Sequence, residues 1–133
     1  MTRLRSAVCL LAVALHALPV LATAAPDAAL VTSLQATMQQ HIDRHRVSGL
    51  YQSVDLKTGT LRKLAPGTPH PKIFTMGDTY VLCADMRDEA GKNINVDFFV
   101  ARRESGFVVF QSEVDNREAF RALIKQGKAV PLQ

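Results

Sequence analysis

Cysteine is scarce in this chain: only Cys9 and Cys83 occur among 133 residues. No C-x-x-C, C-x-x-C-H, G-x-S-x-G or glycine-rich phosphate loop is present. Redox-disulfide, haem-attaching, serine-hydrolase and nucleotide-binding chemistry therefore lose their usual sequence support, and no cofactor is called for. Nor is there H-E-x-x-H, because Ile42-Asp43-Arg44 separates His41 from His45. An excess of charge of one sign is missing too. The formal net charge is +4, and part of it belongs to the extreme N-terminus.

That N-terminus has the order of a secretory signal. Arg3 and Arg5 are followed by an apolar run, Ala7 to Leu21, interrupted only by His16 and Pro19, and then by Ala22-Thr23-Ala24. Positive residues, apolar stretch and small residues in that order predict cleavage after Ala24 and export to the periplasm or beyond. The run is short of the roughly 20 apolar residues that a membrane-spanning helix needs, which favours a cleaved signal over the alternative of an uncleaved anchor; no stable insertion is expected once it is cleaved. With residues 1–24 gone, 16 basic residues become 14 against 12 acidic ones, and net charge falls from +4 to +2. A charge that small and dispersed gives no electrostatic case for nucleic acid. Residues 25–133 then make one domain. Cys83 is its one cysteine, which excludes an internal disulfide. It is either a buried inert hydrophobe or a thiol open to intermolecular pairing.

Downstream, Leu30, Leu34, Met38 and Ile42 recur every four residues behind a capping Asp27. The stripe spans an arc of about 120° and predicts a helix over 27–46 that stops before Gly49. Short segments with turn signals follow. Strands are expected over 50–55, 60–65, 79–87, 93–101 and 107–114, with turns at Lys57-Thr58-Gly59, Asp88 to Gly91 and Glu104-Ser105-Gly106. The run Pro66 to Pro71, with three prolines, is a loop or an irregular edge. Asn116 and Gly127 bound a short C-terminal helix carrying Phe120, Leu123 and Ile124.

The central hairpin can be registered from its pattern. Pairing Asp88 with Lys92 sets Met86 against Ile94, Ala84 against Val96 and Leu82 against Phe98, an all-apolar face that a one-residue slip would destroy. That face should lie under the N-terminal helix. The expected fold is α+β: a long helix on a curled antiparallel meander of four to five strands, with a short C-terminal helix. This outline resembles the cystatin-like and PepSY-like exported domains. The stretches GLYQSVDLKTG and GDTYVLCADMRDEAGKNINVDFFV are similar to small bacterial exported proteins of unknown function, a resemblance that implies architecture and export but no activity.

The same register puts Cys83 opposite Asp97 and Asp85 opposite Asn95 on the other face, with Val81 and Phe99 beyond them. This patch is either a pocket on the concave side for a ligand or cation, or an ordinary wet sheet surface. Two neighbouring carboxylates, if desolvated, would push one pKa upward. His70, held between Pro69 and Pro71, could reach Cys83 only if its loop folds over the sheet, as a Cys-His pair requires. His41 and His45 have the i, i+4 spacing that chelates metal, and both fall within the apolar arc.

The reading that results is a non-enzymatic exported module. It would bind a small molecule or protein through Cys83, Asp85, Asn95, Asp97, Phe99 and His70. The alternatives are a metal-handling protein using His41, His45, His70 or Cys83, and a small thiol or carboxylate enzyme. A homodimer through a shared edge strand is compatible with any of these.

Overall fold

A computed structural model describes residues 25–133; the expected signal segment, 1–24, lies outside the described residues. Two helices and eight strands follow in the order α1 (Ala28–Arg44), β1 (Arg46–Val47), β2 (Leu50–Asp55), β3 (Thr60–Pro69), β4 (Phe74–Met76), β5 (Thr79–Arg87), β6 (Asn93–Arg103), β7 (Gly106–Val114), α2 (Arg117–Lys125) and β8 (Val130–Pro131). Among these residues no helix is long and apolar enough to cross a membrane.

The α1 helix begins where its cap predicts. The Asp27 carboxylate accepts the Ala29 N–H at 2.9 Å, satisfying one of the orphan donors of the first turn. Leu34, Met38 and Ile42 are buried along the predicted stripe. The helix ends two residues earlier than the periodicity suggests. Ser48 and Gly49 both take positive φ, 51° and 85°, and form a two-residue turn that folds Arg46–Val47 back on Leu50 and Tyr51 as β1.

Each of β2, β3, β5, β6 and β7 runs antiparallel to the one before it. The β5–β6 register agrees with the sequence pairing at every position from Leu82↔Phe98 to Met86↔Ile94. Its turn is closed by the Asp88 N–H to the Lys92 carbonyl at 3.1 Å, and by the Lys92 N–H to the Asp88 carboxylate at 2.8 Å. The apolar face of the curl packs on α1. Leu82, Ala84, Met86, Val96, Phe98 and Val100 share one core with Leu34, Met38, Ile42, Tyr51 and Leu64.

The proline-rich stretch proves to be an irregular edge. Strand β3 continues to Pro69 and pairs with the second half of β5, with a register shift between Pro66 and Pro69. Gly67 sits in this bulge so close to β5 that a Cβ would collide with the Asp85 carbonyl oxygen. Here glycine is required by space, because the backbones nearly touch. The first half of β5 pairs with β4, which carries β8 on its other side. Both are too short, and β8 too proline-bound, to stand out in sequence.

Candidate functional site

The face of the β5–β6 hairpin turned away from α1 carries Val81, Cys83 and Asp85 from β5, and Asn95, Asp97 and Phe99 from β6. Strand alternation alone puts them there. Helix α2 lies over part of this face. Its Phe120, Leu123 and Ile124 pack with Phe74, Val81, Cys83, Phe99 and Ala129 in a second, smaller core. Gly127, at φ 68°, ends the helix by giving its N–H to the Ile124 carbonyl at 3.0 Å, and Lys128 then donates to the Leu123 carbonyl. Of the two readings of this patch, a concave-side pocket or a wet sheet surface, neither describes the whole of it. The concave side holds α1, and the polar residues lie on the opposite side, half covered.

Burial divides the cluster in two. Cys83 and Asp97, direct partners across the strands, are only 2% and 1% exposed. Burial, with the Asp97 carboxylate beside it, pushes the Cys83 thiol pKa far up, so no thiolate forms at neutral pH. Burial likewise pushes the Asp97 carboxyl above its usual range, with the Glu113 charge adding to the effect and Arg117 opposing it. Arg117, the first residue of α2, reaches down to this carboxylate: Nη1 lies 3.7 Å from Asp97 Oδ1 and 3.3 Å from Asn95 Oδ1. With its amide turned to suit both neighbours, Asn95 donates to Asp97 Oδ1 at 3.1 Å and accepts from Arg117.

The outer half is wet. The His70 N–H donates to the Cys83 carbonyl at 2.9 Å, which fastens the end of β3 over β5. Its ring Nε2 then lies 3.0 Å from Asp85 Oδ2, the two side chains being 28% and 42% exposed. The hydrogen bond to His70 holds the Asp85 carboxyl below its usual range, helped by Asn95. His70 therefore arrives at the cluster through Gly67 and the bulge, and it faces Asp85 rather than forming an ion pair with a thiol. Arg117 is the member that sequence inspection overlooks. It is one basic residue in an exposed-looking first turn, and only the docking of α2 brings it to Asp97.

His41 and His45 lie elsewhere, on the α1 side of the sheet. Their rings stack at 4.0 Å, and His41 sits edge-on to Phe98 at 5.8 Å. His45 Nδ1 is 2.8 Å from the His41 carbonyl. Burial, reinforced by His45 and Arg44, lowers the His41 pKa to about 4, so this ring stays neutral. Because they sit across the sheet from Cys83 and His70, the four do not converge. Among the described residues no three His, Cys, Asp or Glu side chains are grouped to hold a metal ion.

The arrangement makes a definite pH prediction. Folded Asp97 holds its proton more tightly than unfolded Asp97, so its contribution favours the fold most below the ordinary carboxylate range. That contribution is lost as pH rises through the raised folded value. Asp97→Asn, isosteric and neutral, should therefore be relatively more stabilising at pH 8 than at pH 4. Urea midpoints of both proteins at the two pH values measure this, and an equal difference at both would show that Asp97 does not titrate differently on folding.

Comparison with protein-family models, with curated proteins and with solved structures finds no match to this chain.

Proposed function

We propose that this chain is an exported, non-enzymatic binding module whose contact surface is the exposed rim of the cluster: His70, Asp85, Asn95 and Arg117. The observation that carries this reading is the split in burial. Cys83 and Asp97 are shut beneath α2, where the thiol is held protonated and out of reach of a substrate. The groups left at the surface are a histidine, a carboxylate, an amide and a guanidinium, held in place by one another and by the strands beneath. Such a rim offers donors and an acceptor at fixed spacing, while Phe99, half-buried, lies beyond Asp97 against the α2 core. It suits recognition of a polar ligand or a polar protein surface rather than bond-making chemistry. Export rests on the charge, apolar run and small-residue order of residues 1–24.

The test is native mass spectrometry of the protein recovered from the periplasm, compared with the double variant His70→Ala/Asp85→Asn. These two side chains are partly solvated, so their replacement should shift the melting temperature by no more than a degree or two. A non-covalent adduct on the natural protein that is lost from the variant supports the reading. Identical spectra for two equally folded proteins would remove the rim as a binding site.

A further inference from the structure

The curl brings the two ends of the meander toward each other without joining them. The Tyr51 hydroxyl, on the inner side of β2, lies 3.0 Å from Ser112 Oγ on β7, and Arg62 of β3 reaches from Asp55 at 2.6 Å to Asp115 at 3.4 Å. Side chains therefore span the seam, yet β2 and β7 share no ladder. Between Ser53–Asp55 and Ser112–Asp115 a cleft of about 350 Å³ remains. Among the described residues neither edge carries another strand along this stretch: β1 covers only the start of β2, and β7 pairs with β6 alone.

The main-chain groups along both lips point into the gap. The Gln52 N–H turns away from β3 to the His45 carbonyl, so by alternation the Val54 amide and carbonyl also face outward. On β7 the Asp115 N–H turns toward β6, to the Asn95 carbonyl at 2.8 Å, which leaves Ser112 and Val114 facing the seam. Four antiparallel pairings separate β2 from β7, so the two run in the same direction. A single inserted strand can therefore run antiparallel to both. A missing strand leaves about 10 Å between its neighbours, a gap that a tyrosine and a serine side chain reaching toward each other can bridge.

The side chains at the lips select the occupant. On the outer side lie Val54, exposed, and Glu113, directly across from Asp97. The Arg62 guanidinium is already shared by Asp55 and Asp115, and Lys57 stands at the hairpin tip next to the fully exposed Leu56. Glu113 holds hydrogen bonds from the neutral Gln111 and Asn116 amides and has no ion-pair partner among the described residues. On the inner side, between Ser53 and Ser112, the Tyr51 side chain already reaches across to Ser112 Oγ at 3.0 Å, which leaves room there for small side chains. A lysine or arginine pointing outward would lay its methylene stem on Val54 and bring its charge to Glu113.

We propose that the β2–β7 seam is a strand-addition site for an extended basic peptide segment of a partner protein, one that alternates basic and small residues. This surface is separate from the rim around His70 and does not depend on it.

The probe is a capped hexapeptide of alternating lysine and threonine, titrated into the ¹⁵N-labelled protein. The amides of Val54, Ser112 and Val114 should shift together and saturate, and binding should weaken at least tenfold when alternate peptide amides are N-methylated. Val54→Pro removes one outward N–H, which an edge strand tolerates, and should weaken binding as much. Glu113→Gln should weaken it about threefold and lower its salt dependence. If Val54→Pro fails to fold, the N-methylated peptide on the natural protein puts the same question. No shift at millimolar probe, shifts mapping away from the seam, or equal binding of the methylated peptide would overturn the proposal. Shifts of the seam amides with protein concentration alone would give the seam to a second copy of the chain and overturn it as well.

Discussion

Gly67→Ala is expected to destabilise the domain by about 3 kcal/mol, the upper end of what overpacking costs, although alanine is the smallest possible change. The methyl group would enter the contact shell of the Asp85 main-chain oxygen and carbon. Neither can retreat, because Asp85 is paired with Asn95 on the far side of β5. Either β3 lifts from β5 between Pro66 and Pro69, or the hairpin deforms. The consequence reaches the site. His70 is tied to the Cys83 carbonyl immediately after this bulge, and its ring holds the Asp85 carboxyl below the usual range. Lifting the end of β3 should let that carboxyl drift back toward its ordinary value. Urea unfolding reads the first effect and a carboxyl titration by NMR the second. An unchanged urea midpoint would mean that the two strands are not held as closely as described.

Phe98→Ala should cost more, about 3–5 kcal/mol, the usual cost of removing a buried aromatic ring. Phe98 is fully buried at the meeting point of the sheet and α1, edge-on to Tyr51 at 6.1 Å and to His41 at 5.8 Å. Its loss leaves a cavity between two elements that are far apart in sequence and cannot close it without moving α1. Phe110→Ala is the matching control. That ring is 55% exposed and lies 6.5 Å, centroid to centroid, from Phe99, so the change should stay within about 0.5 kcal/mol. Thermal or urea melts of the two variants decide the matter. A Phe98 variant as stable as the Phe110 variant would contradict the assigned core.

These two phenylalanines also show how far the chain can be read without its fold. Phe98 belongs to an alternation that has an independent partner in Leu82-Ala84-Met86, and the Asp88–Lys92 turn locks the count, so its burial follows from local pattern. Phe110 stands in an equally apolar run, Phe107 to Phe110. There a register shift where Phe99 and Val100 meet β7 changes which residues face inward. Bulges of this kind leave no mark in the sequence because they add one residue without changing composition.

The helix stripe, the turn residues and the hairpin register are properties of neighbours within about ten residues, and period and pairing state them directly. That is why the α+β outline, the place of α1 and the opposition of Cys83 to Asp97 and of Asp85 to Asn95 were legible from the chain alone. Whether that polar face is wet or dry was not. The answer depends on α2, which lies some twenty residues beyond Asp97 and covers Cys83 through Phe120, and on Arg117, which brings its guanidinium within 3.7 Å of the buried Asp97 carboxyl. The seam between β2 and β7 is likewise a product of sheet curl, which brings Tyr51 to Ser112 across 61 positions. Burial and long-range approach are sums over the whole packed chain, and no local window contains them.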